Sequence, residues 1–180
     1  MDQQPRRRDA ERNRARILEV AAERIDAGES VAHKDLARAA EVGVGTVYRA
    51  FPARPDLITA LAEPHLLELA KLLREATEAE DPLAVAVTGA VGLLGQHPDV
   101  AENLRDEAGH AQPAPAVAEV LEALQGVLAT PGPLGIHQGV DAHALVRILC
   151  GLNYAASLAS DKDAARVLHV GVALQGLRAA

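Results

Sequence analysis

The chain has 180 residues, 49% of them apolar, enough for a substantial core and for either one large domain or two small ones. No apolar run is long enough to span a bilayer and the N-terminus lacks the apolar centre of a signal peptide, so a soluble cytoplasmic protein without a membrane partner is expected. A single cysteine, Cys150, excludes an internal disulfide and any multi-cysteine zinc site, and a formal charge of -7 stands at first against nucleic acid as a partner.

The distribution of that charge reverses the last point. Residues 1–54 carry eleven Lys or Arg against nine acids, whereas residues 55–180 carry seven against sixteen. Such asymmetry predicts two parts with different partners, divided near residue 54. Ala, Leu, Glu and Arg dominate, and no run alternates apolar and polar as a half-buried strand would. An all-α protein of about nine helices follows.

In chain order, Arg6, Arg7, Arg8, Arg12, Arg14 and Arg16 form a basic arm, readable either as a minor-groove arm or as a disordered solubilising tail. Asp9 is placed to cap a first helix from about Ala10 to Ala27, with Ile17, Val20, Ala21 and Ile25 on one stripe and Gly28 ending it. A second helix spans His33–Ala40 and a third Val44–Ala50, with Gly43 as N-cap. A fourth starts near Arg54 and runs to about Ala79; Pro64 in its middle predicts a kink or break near Glu63.

Asp81-Pro82 and His97-Pro98-Asp99 are start signals for helices over Pro82–Gln96 and Pro98–Ala108. Pro113 and Pro115 open a helix through Leu128, and a breaker-rich loop follows from Thr130 to Gly139. The last two helices, Ala142–Ala159 and Lys162–Arg178, are apolar over so much of their girth that both sides need burial. Leu145, Leu149, Leu152, Ala156, Val167, Gly171 and Leu174 are therefore assigned to a homodimer interface, against the alternative of a fully buried pair in a monomer. Cys150 on the first of these helices reads as a buried small hydrophobe.

The helix, turn and helix over residues 33–50 concentrate the chemistry: two of the three aromatics, Tyr48 and Phe51, fall at their end. Leu36-Ala37, Ala40, Glu41-Val42, Gly43, Gly45-Thr46, Tyr48, Phe51 and then Arg54 are spaced as in the DNA-binding head of the TetR family of bacterial transcriptional regulators, which the stretch from Arg12 to Leu57 resembles. The pattern covers about a quarter of the chain. There are departures: Glu41 stands where the family has a turn glycine, Gly43 where it has a hydroxyl cap, Ala50 where histidine is frequent and Ala53 where serine precedes the fourth helix.

The resemblance implies a three-helix DNA-binding head over residues 1–54 and a helical effector-binding and dimerisation domain over 55–180. It also implies a ligand-responsive repressor acting as a homodimer on a palindromic operator. Gly45 would let the recognition helix approach DNA closely, with Thr46 and Tyr48 offering hydroxyls to phosphates. Val44 is suited to a thymine methyl, Lys34 and Arg49 to guanine or phosphate, and Arg54 to phosphate, with Arg6, Arg7 and Arg8 as arm contacts. The alternative is a helical protein-interaction module without specific DNA binding, distinguishable by its salt dependence.

Enzymatic signals are weak. Gly43-x-Gly45 lacks the third glycine and preceding strand of a dinucleotide loop, and no serine stands in a nucleophile elbow. The histidines form no paired metal motif on one helix face; Glu107-x-x-His110 is the best metal candidate, and no metal, cofactor or catalytic residue is assigned. For a small-molecule effector the sequence suggests a mainly apolar pocket involving Leu66, Leu94, His97, Leu104, His110, Asn153 and Tyr154.

Overall fold

The computed structural model describes the backbone of residues 4–110, 112–130, 132 and 135–178 and, except at residues 4–6, 26 and 107, their side chains. Nine helices and no strand occur among the described residues: α1 Gln4–Asp26, α2 His33–Ala39, α3 Val44–Ala50, α4 Arg54–Ala76, α5 Pro82–Gln96, α6 Pro98–Glu107, α7 Pro115–Ala129, α8 Ala142–Ser157 and α9 Lys162–Leu177. The chain divides into two compact units, residues 1–61 and 62–180, so the division falls inside α4 and not at its start.

In the first unit, α1 packs on α2 and α3, which pack on each other. Ile17, Ala21, Leu36, Ala37, Ala40, Val47, Phe51 and Leu57 close its core. Burial of each large side chain in this set stabilises by about 1.5–3 kcal/mol, and the guanidinium of Arg14 lies 4.9 Å from the Phe51 ring centre.

Two helix ends in this unit use the same device. After α1, the Gly28 N–H donates to Ile25 O and the Glu29 N–H to Arg24 O, with Gly28 at φ 68°, a left-handed glycine cap. After α2, the Glu41 N–H donates to Arg38 O and the Val42 N–H to Ala37 O, with Glu41 at φ 54°. A glutamate thus holds the position that glycine fills at the first end, the one non-glycine residue at positive φ among those described. Its carboxylate accepts from Arg16 at 3.1 Å on α1, which ties the turn to the bracing helix.

Asp9 is not a cap. α1 begins at Gln4, so the expected arm is, from residue 4 onward, the first turns of the helix. Pro5 is tolerated in an opening turn, Arg is a good helix former, and Arg7–Glu11 at 3.3 Å and Arg12–Asp9 at 3.7 Å pair along the surface. The predicted break at Pro64 is absent too: α4 runs unbroken through it. The start of α4 keeps half of a capping box, since the Ala53 N–H donates to Asp56 Oδ2 at 2.8 Å.

In the second unit, α5 is the central helix, packing on α6, α7, α8 and α9, while α8 contacts α6, α7 and α9. The second half of α4 supplies Leu66, Leu69 and Leu73 to the core, with Val87, Val91 and Leu94 of α5 and Leu124 of α7. Asp81, Asp141 and Asp161 each accept the backbone N–H three residues on, capping α5, α8 and α9. Gly89 lets α5 approach α4: a Cβ there would lie 2.8 Å from a Leu72 methyl.

Candidate nucleic-acid interface

The first unit turns most of its sequence-selected residues outward. Lys34 and Arg8 are exposed, as are Val44, Gly45, Tyr48 and Arg49 on α3, and Arg54 at the start of α4; Thr46 is half-buried. Val47 and Phe51 face inward and anchor α3 to the core. The resulting short helix presents a small glycine surface flanked by an apolar methyl pair, a phenol and a guanidinium. Arg7 is exposed in its pair with Glu11; the Arg6 side chain lies outside the described residues.

Gly45 carries the clearest signal. A Cβ built there would meet nothing within 4 Å. Glycine costs about 1 kcal/mol against alanine inside a helix, and nothing in this fold demands it. The fold therefore leaves room for a side chain at this position.

His33, which the sequence reading did not single out, packs against a candidate site residue. Its ring stacks on Tyr48, with centroids 4.2 Å apart and planes 10° from parallel, and its Nε2 lies 2.7 Å from Phe51 O. The histidine thereby fixes the direction of the exposed phenol from the start of α2. Position alone gave no hint, because the two rings are brought together only by the packing of α2 on α3. Nearby, Arg49 donates to Thr46 Oγ1 at 3.3 Å. An open hollow of about 610 Å³ between α1 and α3 is lined by Arg7, Arg14, Thr46 and Arg49, with Asp9 and Glu11 on its α1 side.

The second unit holds a half-open cavity of about 480 Å³ between α6 and α8. Leu104, Ala108, Val146, Cys150 and the Tyr154 ring form its apolar walls; Arg105, Arg147 and His143 supply polar groups. Burial pushes the Cys150 thiol above its ordinary pKa, with Arg105 opposing more weakly. The thiol donates weakly to Ala101 O at 3.8 Å, as suits a packed cysteine. Of the residues assigned to an effector pocket, Leu104 and Tyr154 line this cavity. Leu66 and Leu94 are closed in the core, His97 stacks on His65, Asn153 is half-buried elsewhere and His110 is exposed. Glu107, half of the metal pair expected from sequence, has its side chain outside the described residues.

Several residues expected at a dimer face are buried within the protomer itself. Leu145, Leu149 and Ala156 are 0–2% exposed in the protomer and belong to its core, and Leu152 and Leu174 are half-buried against it. The free apolar surface of α8 and α9 is instead carried by Tyr154, Leu158, Val167, Leu168 and Val172, each 63–76% exposed, with Gly151 and Gly171 open beside them. Val167 and Gly171, among the residues expected at that face, belong to this exposed surface.

No family model and no curated protein matches the chain. Solved structures do. A TetR-family transcriptional regulator from Pectobacterium atrosepticum is similar at 22% identity and a TM-score of 0.65, over 97% of this chain and 98% of that one. A TetR transcriptional regulator from Streptomyces coelicolor, also 22% identical, gives a TM-score of 0.53 over 92% and 98%. The chain has the all-α, TetR-like fold. None of its described helices is long and apolar enough to cross a membrane.

Proposed function

We propose that this protein is a sequence-specific DNA-binding transcriptional regulator, working as a homodimeric, ligand-responsive repressor on a palindromic operator. The observation that carries this reading is the exposed, structurally unexplained Gly45 on α3, between Val44 and the His33-oriented Tyr48. A recognition helix needs close approach, hydroxyls for phosphates and a few long or apolar side chains for base edges. Thr46 and Tyr48 face phosphates together with Lys34, Arg7, Arg8 and Arg54, and Val44 and Arg49 face base edges. Arg7, Arg14 and Arg49 around the hollow between α1 and α3 add a place for the sugar-phosphate backbone.

Two copies would meet through the exposed face of α8 and α9, which presents the two half-sites with two-fold symmetry. The cavity between α6 and α8 would take the effector, whose differential affinity for the arrangement that does not bind DNA shifts the population. By linkage, operator DNA then weakens effector binding by the same factor.

The test begins with selection of retained sequences from random duplex DNA at near-physiological salt, which should enrich a palindrome. Gly45→Ala is then compared with the parent on that operator. Alanine should stabilise the first unit by about 0.5–1 kcal/mol and weaken operator binding at least tenfold. Stronger folding with unchanged operator affinity would sink the assignment of α3, and no retention at any salt would move the reading to a protein-interaction module.

A further inference from the structure

Three side chains outside the DNA-facing surface and outside the α6–α8 cavity converge within the second unit. His65 follows Pro64 on α4, His97 occupies the N-cap position of α6, and Asp99 lies in the first turn of α6. One potential ligand atom from each lies within 4.8 Å of the others. The two imidazoles stack at 3.7 Å between centroids and 22° between planes, and His65 Nδ1 is 3.5 Å from Asp99 Oδ2. These side chains are partly shielded from water, His65 being 33% and Asp99 16% exposed.

Asp99 has an ordinary explanation, and the two histidines do not. Asp99 suits a helix first turn by its charge. His97 does not cap α6: its side chain makes no capping hydrogen bond. The His65 Nδ1 atom is itself buried and has no hydrogen-bond partner, although it faces a carboxylate just beyond bonding distance. A buried ring nitrogen left in this way is destabilising unless something satisfies it.

We infer that His65, His97 and Asp99 form a binding site for a divalent transition-metal ion that links α4 to the start of α6. Two neutral imidazoles and one carboxylate are a donor set for zinc and its borderline neighbours, and a poor one for magnesium or calcium, which take oxygen ligands. Ligand atoms around such an ion sit at about 2.0–2.2 Å from it. The side chains must therefore draw together by roughly an ångström and the stacked rings splay apart, movements within the reach of rotation about their side-chain bonds. The positive end of α6 opposes a cation, and the Asp99 carboxylate offsets it. Three protein ligands leave a fourth position for water or an external donor.

Isothermal titration of the full chain, free of any affinity tag, with Zn²⁺ tests the site, with Co²⁺ titrated in parallel to read its visible absorption bands. One equivalent should bind with micromolar or tighter affinity, Co²⁺ should give bands of a low-coordinate nitrogen and oxygen site, and Mg²⁺ should give no saturable heat. His65→Ala and His97→Ala should each weaken Zn²⁺ binding at least tenfold and remove the Co²⁺ bands, with helical circular dichroism retained. If either alanine variant fails to fold, His65→Gln or His97→Gln replaces it under the same expectation. Absence of saturable Zn²⁺ binding, or binding that survives these substitutions, overturns the site.

Discussion

At the scale of single residues, two positions show a local conflict with backbone preference, and they have different resolutions. Glu41 holds a left-handed conformation that costs a non-glycine residue about 1–2 kcal/mol. The Arg16–Glu41 pair, exposed on both sides, returns only a fraction of this. Glu41→Gly should therefore stabilise the protein by about 1 kcal/mol in urea denaturation, less the small contribution of that pair; a loss of stability would show that the turn depends on the carboxylate. Gly45 is the converse case, a glycine where alanine fits. The sequence exposed both positions as departures from, or matches to, a pattern, because φ preference and side-chain absence are properties of one residue. It could not expose His33, whose role arises only when α2 and α3 pack and bring its ring onto Tyr48.

At the scale of helices, start signals of the Asp-Pro and His-Pro type placed α5 and α6 correctly at their first residues, because proline acts within a single turn, with the Asp81 cap beside it at α5 alone. Two errors came from giving a local signal too much weight. Asp9 resembled a cap although the arginines before it are good helix formers, and at Pro64, where a kink or break was expected, the helix continues without a break. The apolar girth of α8 hid which of its stripes faces inward, so three core residues were assigned to the dimer face. Pro64 is exposed, and its lost N–H leaves the carbonyl of Ala60 without its usual helical donor. Alanine is about 3 kcal/mol better than proline in a helix interior, less about 1 kcal/mol of unfolded-chain entropy that proline removes. Pro64→Ala should accordingly raise the urea stability of the second unit by about 2 kcal/mol. A fall would mean that the proline shapes α4 in a way its neighbours require.

At the scale of the whole molecule, the apolar surface of α8 and α9 is an unmet demand. Five large side chains at 63–76% exposure, together with Gly151 and Gly171, resemble a core cut open, and each such chain gains about 1.5–3 kcal/mol when fully covered. Val167→Glu should convert the proposed dimer to monomer in sedimentation equilibrium while leaving helical content unchanged, since Val167 touches little within its own protomer. A dimer that survives this charge would place the interface elsewhere. The two aromatic hydroxyls carry one more consequence. The chain has no tryptophan, and its two tyrosines fall one in each compact unit, Tyr48 against an imidazole and Tyr154 open to solvent. Beyond the weak, shorter-wavelength bands of Phe51, its near-ultraviolet spectrum is therefore the sum of two tyrosines in unlike surroundings, and the optical signature of each half can be followed without attaching a dye.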